Sequence, residues 1–282
     1  MSRIRTAFLR CALVLSMLAA AAQSASAQAA APAQSPKPAN IHARATQATV
    51  DSSIPDDPAV EKMLQVYAPK VRALNEVIGK TTGELEKGGI GAGSLGNLVA
   101  DALRDRAQVK LGKPVLLAIT NSGGLRKNAI AEGDLTAGDI FELLPFENAL
   151  VTLDLTGDQL RRFFDVILKH RDAQSGARIT FRLNEKKENE IVSVKLGSPG
   201  NEVEIDPKAT YTIATIDYLV KRGGDYSILQ EGQNLRPLGI TMRDAVLDYV
   251  KSETAAGRPI KAKLDGRFRS DKPQTETEQP ND

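Results

Sequence analysis

Apolar residues recur along this chain with two different periods, and the changes between them mark out helices and strands. From Val60, the residues Met63, Leu64, Tyr67, Val71, Leu74 and Ile78 keep a helical stripe, with a kink or reset expected at Pro69. Leu95, Leu98, Val99, Ala102 and Leu103 make a second stripe, with Ser94 as its expected cap. Three more helices announce their starts. Thr136 with Asp139, Thr156 with Gln159 and Thr241 with Asp244 each set a hydroxyl at the cap and a polar partner three residues on. Between the helices, Val115 to Thr120 is a continuous apolar run of the kind found in buried strands. Ala149 to Leu155 leads straight into the Thr156 cap. Arg178 to Leu183, Ile191 to Leu196 and Thr210 to Ile216 alternate or are β-branched, and the charged run from Asn184 to Glu190 reads as a hairpin loop. The mixture predicts an α+β or mixed α/β fold with helices covering sheet faces.

The two ends depart from this pattern. Arg3, Arg5 and Arg10, the apolar run from Cys11 to Ala22, and Ala25-Ser-Ala27 together read as a Sec-type secretory signal over residues 1–27. This predicts export to a periplasmic or extracellular location. Residues 28–54, rich in Ala, Pro, Gln and Ser, read as a disordered linker, and the polar residues 270–282 as a disordered tail. The folded domain is then 55–269. Cleavage removes Cys11, the single cysteine, so neither disulfide nor thiolate chemistry is expected of the mature chain. It also removes three arginines and no acid, which turns the formal charge of +2 into a single negative charge. Such a balance gives no ground for expecting nucleic acid or a membrane surface as partner.

Candidate chemistry is concentrated in two glycine-hinged loops. Asn121-Ser-Gly-Gly-Leu-Arg126 follows the buried strand, where α/β proteins display ligand loops. Gly123 and Gly124 permit positive φ and close approach of backbone to an anion, Arg126 offers a fork for phosphate, and Asn121 offers donors and an acceptor. A Gly-Gly turn after a strand is also found as a plain turn. The P-loop and dinucleotide fingerprints are both absent. Phe146, after Leu144-Pro145, is either a core plug or a stacking platform. Arg222-Gly-Gly-Asp-Tyr226 is the second loop, expected to follow an apolar strand. Together the loops would present Phe146 and Tyr226 to opposite faces of one planar ring. His42 falls in the linker and His170 reads as a surface residue at a helix C-terminus, too few histidines for a catalytic metal centre or a serine triad.

Six segments carry a resemblance. Ser94-Leu-Gly-Asn97 with Asp101-Ala102, Asn121 to Arg126, Gly133-Asp-Leu-Thr136, Leu144-Pro-Phe146, Leu155-Thr-Gly157 with Leu160, and Gly223-Gly-Asp225 occur in one order. Over about Val60 to Arg269 the chain resembles the C-terminal domain of the 5′-nucleotidase family. The resemblance implies a sandwich of mixed sheets covered by helices. It also implies a nucleoside held between two aromatic rings, one in Leu-Pro-Phe and one just after a Gly-Gly-Asp-Gly segment. Carried onto this chain, the binding residues are Asn121, Gly123, Gly124, Arg126, Phe146, Gly224, Asp225 and Tyr226. Two departures stand out: no glycine separates Asp225 from Tyr226, and residues 83–93 offer only Lys87 where the family has phosphate-gripping arginines.

The family's metallophosphoesterase domain is not among these segments. The expected role is therefore recognition of a 5′-nucleotide or nucleotide sugar, hydrolysed by a separately encoded metallophosphoesterase. The divalent metal pair is expected on that partner, with no cofactor and no catalytic residue on this chain. A non-catalytic nucleoside- or nucleotide-binding module, or a scaffold that has lost the ligand, are the alternatives.

Overall fold

The computed structural model describes residues 46–197 and 200–271. The expected signal, Cys11, His42 and residues 272–282 lie outside them. The chain divides between Asp56 and Asp57, and all the described regular structure lies in the second unit. In chain order it comprises α1 (Pro58–Ala73), β1 (Val77–Thr82), β2 (Leu85–Glu86), α2 (Gly93–Leu111), β3 (Leu117–Thr120), β4 (Ala129–Ile130), β5 (Gly133–Thr136), α3 (Ala137–Leu143), β6 (Ala149–Thr156), α4 (Gly157–His170), β7 (Ala173–Ser175), β8 (Ala177–Leu183), β9 (Asn189–Leu196), β10 (Val203–Glu204), β11 (Thr210–Ile216), α5 (Asp217–Arg222), β12 (Gln233–Thr241), α6 (Met242–Ala255), β13 (Ile260–Lys261) and β14 (Phe268–Ser270). Short 3₁₀ turns occupy Ser122–Gly124 and Gly224–Glu231. Among the described residues no helix is long and apolar enough to cross a membrane.

A five-stranded sheet in the order β12-β6-β11-β3-β7 forms the centre. β3 and β11 run parallel, while the other neighbours are antiparallel. All four residues of β3 are buried, as its unbroken apolar run requires, because a strand apolar on both sides needs cover on both faces. α2 packs on β3 and β7, and α4 on β6, β11 and β9. Leu160, Phe163, Phe164, Ile167 and Leu168 of α4 are all buried, and each such side chain contributes about 1.5–3 kcal/mol relative to exposure. A four-stranded sheet, β10-β9-β8-β14, and a three-stranded one, β13-β1-β5, complete the mixed α+β architecture.

The capping boxes at Thr136, Thr156 and Thr241 all form. Two other expectations are corrected. Asp57 caps α1, which runs through Pro69, but no residue of this helix is buried and Ile78 lies in β1 instead of extending the stripe. The carbonyls of Leu74 and Glu76 accept from Gly138 and Ala137, which draws the chain out of the helix. Ser94 does not cap α2; that place is taken by Ala92 in the left-handed region, while Ser94 Oγ accepts from the Glu86 amide at 2.8 Å. Gly96 meets the turn before it, where a Cβ would stand 1.9 Å from the Gly91 carbonyl oxygen.

The Leu-Gly-Asn helix also clasps the far end of the chain. Asn97 Nδ2 donates to the Lys263 carbonyl at 3.1 Å, and Arg267 donates to both oxygens of Asp101 at 3.0 Å. β14 then pairs in parallel with β8, carrying regular structure to Ser270, one residue beyond the expected boundary.

Candidate ligand-binding site

The parallel strands β3 and β11 end, and the antiparallel β6 and β7 begin, at one edge of the central sheet, where Thr120 pairs with Ala173 and Ile216 with Leu150. Open α/β sheets hold ligands outside the carboxyl ends of their parallel strands. Four segments emerge at this edge: Asn121 to Arg126, Leu144 to Asn148, Arg171-Asp172, and Asp217 to Tyr226.

The first loop is a 3₁₀ turn closed by Gly124 N to Asn121 O at 3.0 Å. Gly123 and Gly124 do not use the positive φ open to them. Absence of a Cβ serves another end at Gly124, where one would come within 3.2 Å of Asn121 Oδ1. Asn121 is folded over this turn, and its buried Oδ1 has no protein partner. Arg126 places its guanidinium 5.9 Å from the centre of the Phe146 ring. That ring is 46% exposed, so Phe146 is not a core plug. Lys87 donates to the Leu125 carbonyl at 2.8 Å and so buttresses the same loop.

The turn from Leu144 to Glu147, which carries Phe146, is braced by a residue the sequence reading did not pick out. Arg243 is buried, lies 4.3 Å over the Phe141 ring, donates to the Leu144 carbonyl at 3.1 Å and pairs with Glu147. The available signal was its place in the first turn of α6, where the helix dipole disfavours a cation.

Tyr226 requires a correction. Its ring is 1% exposed, wedged between His170, whose ring centre is 5.1 Å away, and the Arg222 guanidinium at 5.0 Å. Its hydroxyl donates to Asp172 Oδ2 at 2.5 Å, so neither face is open to a ligand. The reason is that α5 intervenes between β11 and the glycines. Gly223 (φ 68°) and Gly224 (φ 61°) then turn the chain inward. Asp225 is taken by Lys169 and His170, each at 2.8 Å, and their hydrogen bonds hold its carboxyl below the usual range. His170, at the C-terminus of α4 as expected, thus also braces that helix against this loop. The exposed aromatic on this side is Tyr218, 45% accessible, which the sequence reading also passed over. Its neighbour Asp217 accepts from the Ala149 amide at 2.9 Å, which sets Tyr218 beside the chain that carries Phe146.

Among the described residues no group of three or more His, Cys, Asp or Glu side chains is arranged to hold a metal. A cavity of about 1020 Å³ lies elsewhere, against Asn97, Arg178, Arg267 and Phe268, and none of the four segments lines it.

The 5′-nucleotidase C-terminal domain model matches residues 77–231. A trifunctional nucleotide phosphoesterase protein of Bacillus subtilis is 29% identical over 233 residues, covering 78% of this chain and 16% of that protein. A 5′-nucleotidase of Vibrio parahaemolyticus is 24% identical over 77% of this chain and 38% of its own length. The structure of a 5′-nucleotidase precursor from Thermus thermophilus matches with a TM-score of 0.62 at 26% identity, over 76% of this chain and 43% of that one. The chain spans less than half the length of each of these relatives. With the family model aligned across more than half of its residues, the chain belongs to the 5′-nucleotidase family, whose C-terminal domain it carries.

Proposed function

We propose that this chain is the nucleotide-recognition component of an exported 5′-nucleotidase, binding a 5′-nucleotide or nucleotide sugar at the edge of the central sheet. Hydrolysis then falls to metals held on a separately encoded phosphoesterase chain. The observation that carries this reading is the pair of exposed rings, Phe146 and Tyr218, each with an arginine beside it, on the segments that enter β6 and leave its neighbour β11. A base stacked on an aromatic side chain gains about 1–3 kcal/mol. Arg126 supplies a fork for phosphate, and the unpartnered Asn121 Oδ1 is an acceptor that a donor on the ligand would satisfy. Tyr226 and Asp225 act here by shaping the loop, through Asp172 and through Lys169 and His170.

The chain is to be mixed with candidate exported metallophosphoesterases and hydrolysis of AMP and UDP-glucose followed. A partner should raise turnover only in the presence of this chain, and Phe146→Ala should weaken nucleotide binding by about 1–3 kcal/mol in calorimetry. Failure of every partner to raise turnover of either substrate removes the two-chain reading. Unchanged affinity in the Phe146 variant removes that ring from the site.

A further inference from the structure

Most cations around the crevice are already committed. Lys127 lies 2.7 Å from Asp139 and 2.6 Å from Glu142, Lys169 is 2.8 Å from Asp225, and Lys221 is 2.7 Å from Asp217. Arg243 pairs with Glu147, and Lys87 is spent on the Leu125 carbonyl. Among the described residues at this edge, Arg126, Arg171 and Arg222 make no ion pair with a carboxylate at contact distance. Arg126 makes one long bond, 3.4 Å, to the Gly123 carbonyl. The backbone carbonyl of Arg171 accepts from Gly91, toward the α2 side of the loop. Arg222 stands out. It ends α5, its guanidinium is held 5.0 Å from the Tyr226 ring centre and 6.0 Å from that of Tyr218, and it donates no side-chain hydrogen bond. The rings fix its position without neutralising it. A guanidinium so placed keeps its whole donor fork for a ligand.

We infer that Arg222 is an anion contact of this site, pairing with the phosphate of a nucleotide and making the crevice select nucleotides over nucleosides. This rests on the reading that the ligand is a nucleotide. Arg222 acts on the buried Asp172 only through charge, with no hydrogen bond between them, so its donors stay available to a phosphate.

The test is calorimetry with AMP and with adenosine on the wild type, Arg222→Gln, Arg222→Lys and Arg171→Gln, with circular dichroism confirming that each variant is folded. Arg222→Gln should lose about 10- to 100-fold in affinity for AMP while adenosine binding stays within about twofold. Arg222→Lys should recover only part of the loss, since the charge returns without the planar fork. Equal losses for both ligands would mean that Arg222 merely packs on its tyrosines and would overturn the inference. So would no loss at all, or loss of the AMP preference in Arg171→Gln alone. If the wild type binds neither compound, the nucleotide reading itself falls and this inference with it. If it binds both and the preference survives Arg222→Gln, only the inference falls.

Discussion

Asp172 is the residue on which both glycine loops depend. Its carboxylate accepts from the Ser122 amide at 3.0 Å and from the Tyr226 hydroxyl at 2.5 Å, and it is 1% exposed. Burial pushes this carboxyl above its ordinary value, against the pull of those two hydrogen bonds and of the His170 and Arg222 charges. A group that holds its proton more tightly when folded favours folding at low pH and costs stability as pH rises from 3.8 through the elevated folded value. Replacing it by asparagine should therefore tilt the stability difference against the wild type across that window. Urea unfolding of both proteins at stepped pH reads this directly. Parallel curves would mean that Asp172 titrates alike in both states. At this scale the sequence displayed the right residue types but misassigned some of them. Tyr226 was visible as an aromatic after two glycines, yet its partner Asp172 lies 54 positions away and nothing local announced it.

At the scale of elements, what was legible was what is closed within a few residues. The Thr-x-x-Asp/Gln boxes of α3, α4 and α6 satisfy orphan amides by contacts three positions apart, so reading them needs no tertiary knowledge. Thr156→Ala should accordingly cost about 1 kcal/mol in chemical denaturation, with a range of about 0.5–2. No loss would show that packing of the α4 stripe alone fixes the helix. Ser94 looked like a cap by the same local rule and is not, because the Glu86 amide of β2 claims its hydroxyl and a left-handed Ala92 starts the helix two residues earlier. The α1 stripe illustrates the converse. Its period is helical and the helix forms, but periodicity carries no information about whether a partner covers the face, and Met63, Leu64, Tyr67 and Val71 stay exposed.

For the whole molecule, the Leu-Gly-Asn helix is a clasp that joins the start of the domain to its end. Arg267, 12% exposed at its side chain, donates to both oxygens of Asp101 and to the Gln174 carbonyl. Removing it strands a half-buried carboxylate and frees the segment that becomes β14. Arg267→Ala should cost about 2–3 kcal/mol and expose the chain after Lys263 to limited proteolysis. Resistance equal to that of the wild type would show β14 to be held by its pairing with β8 alone. The sequence by itself determined the three boxed helix starts, the buried strand and the family, because each is encoded in local period, local hydrogen bonding or an ordered set of short segments. Only the tertiary structure decided which aromatic rings face solvent and which arginines are free. Phe146 is open and Tyr226 shut, and Arg222 keeps its donors while Arg243 spends its own on the Leu144 to Glu147 turn. Exposure and charge pairing are properties of neighbours brought together from distant parts of the chain, and no periodicity or spacing records them.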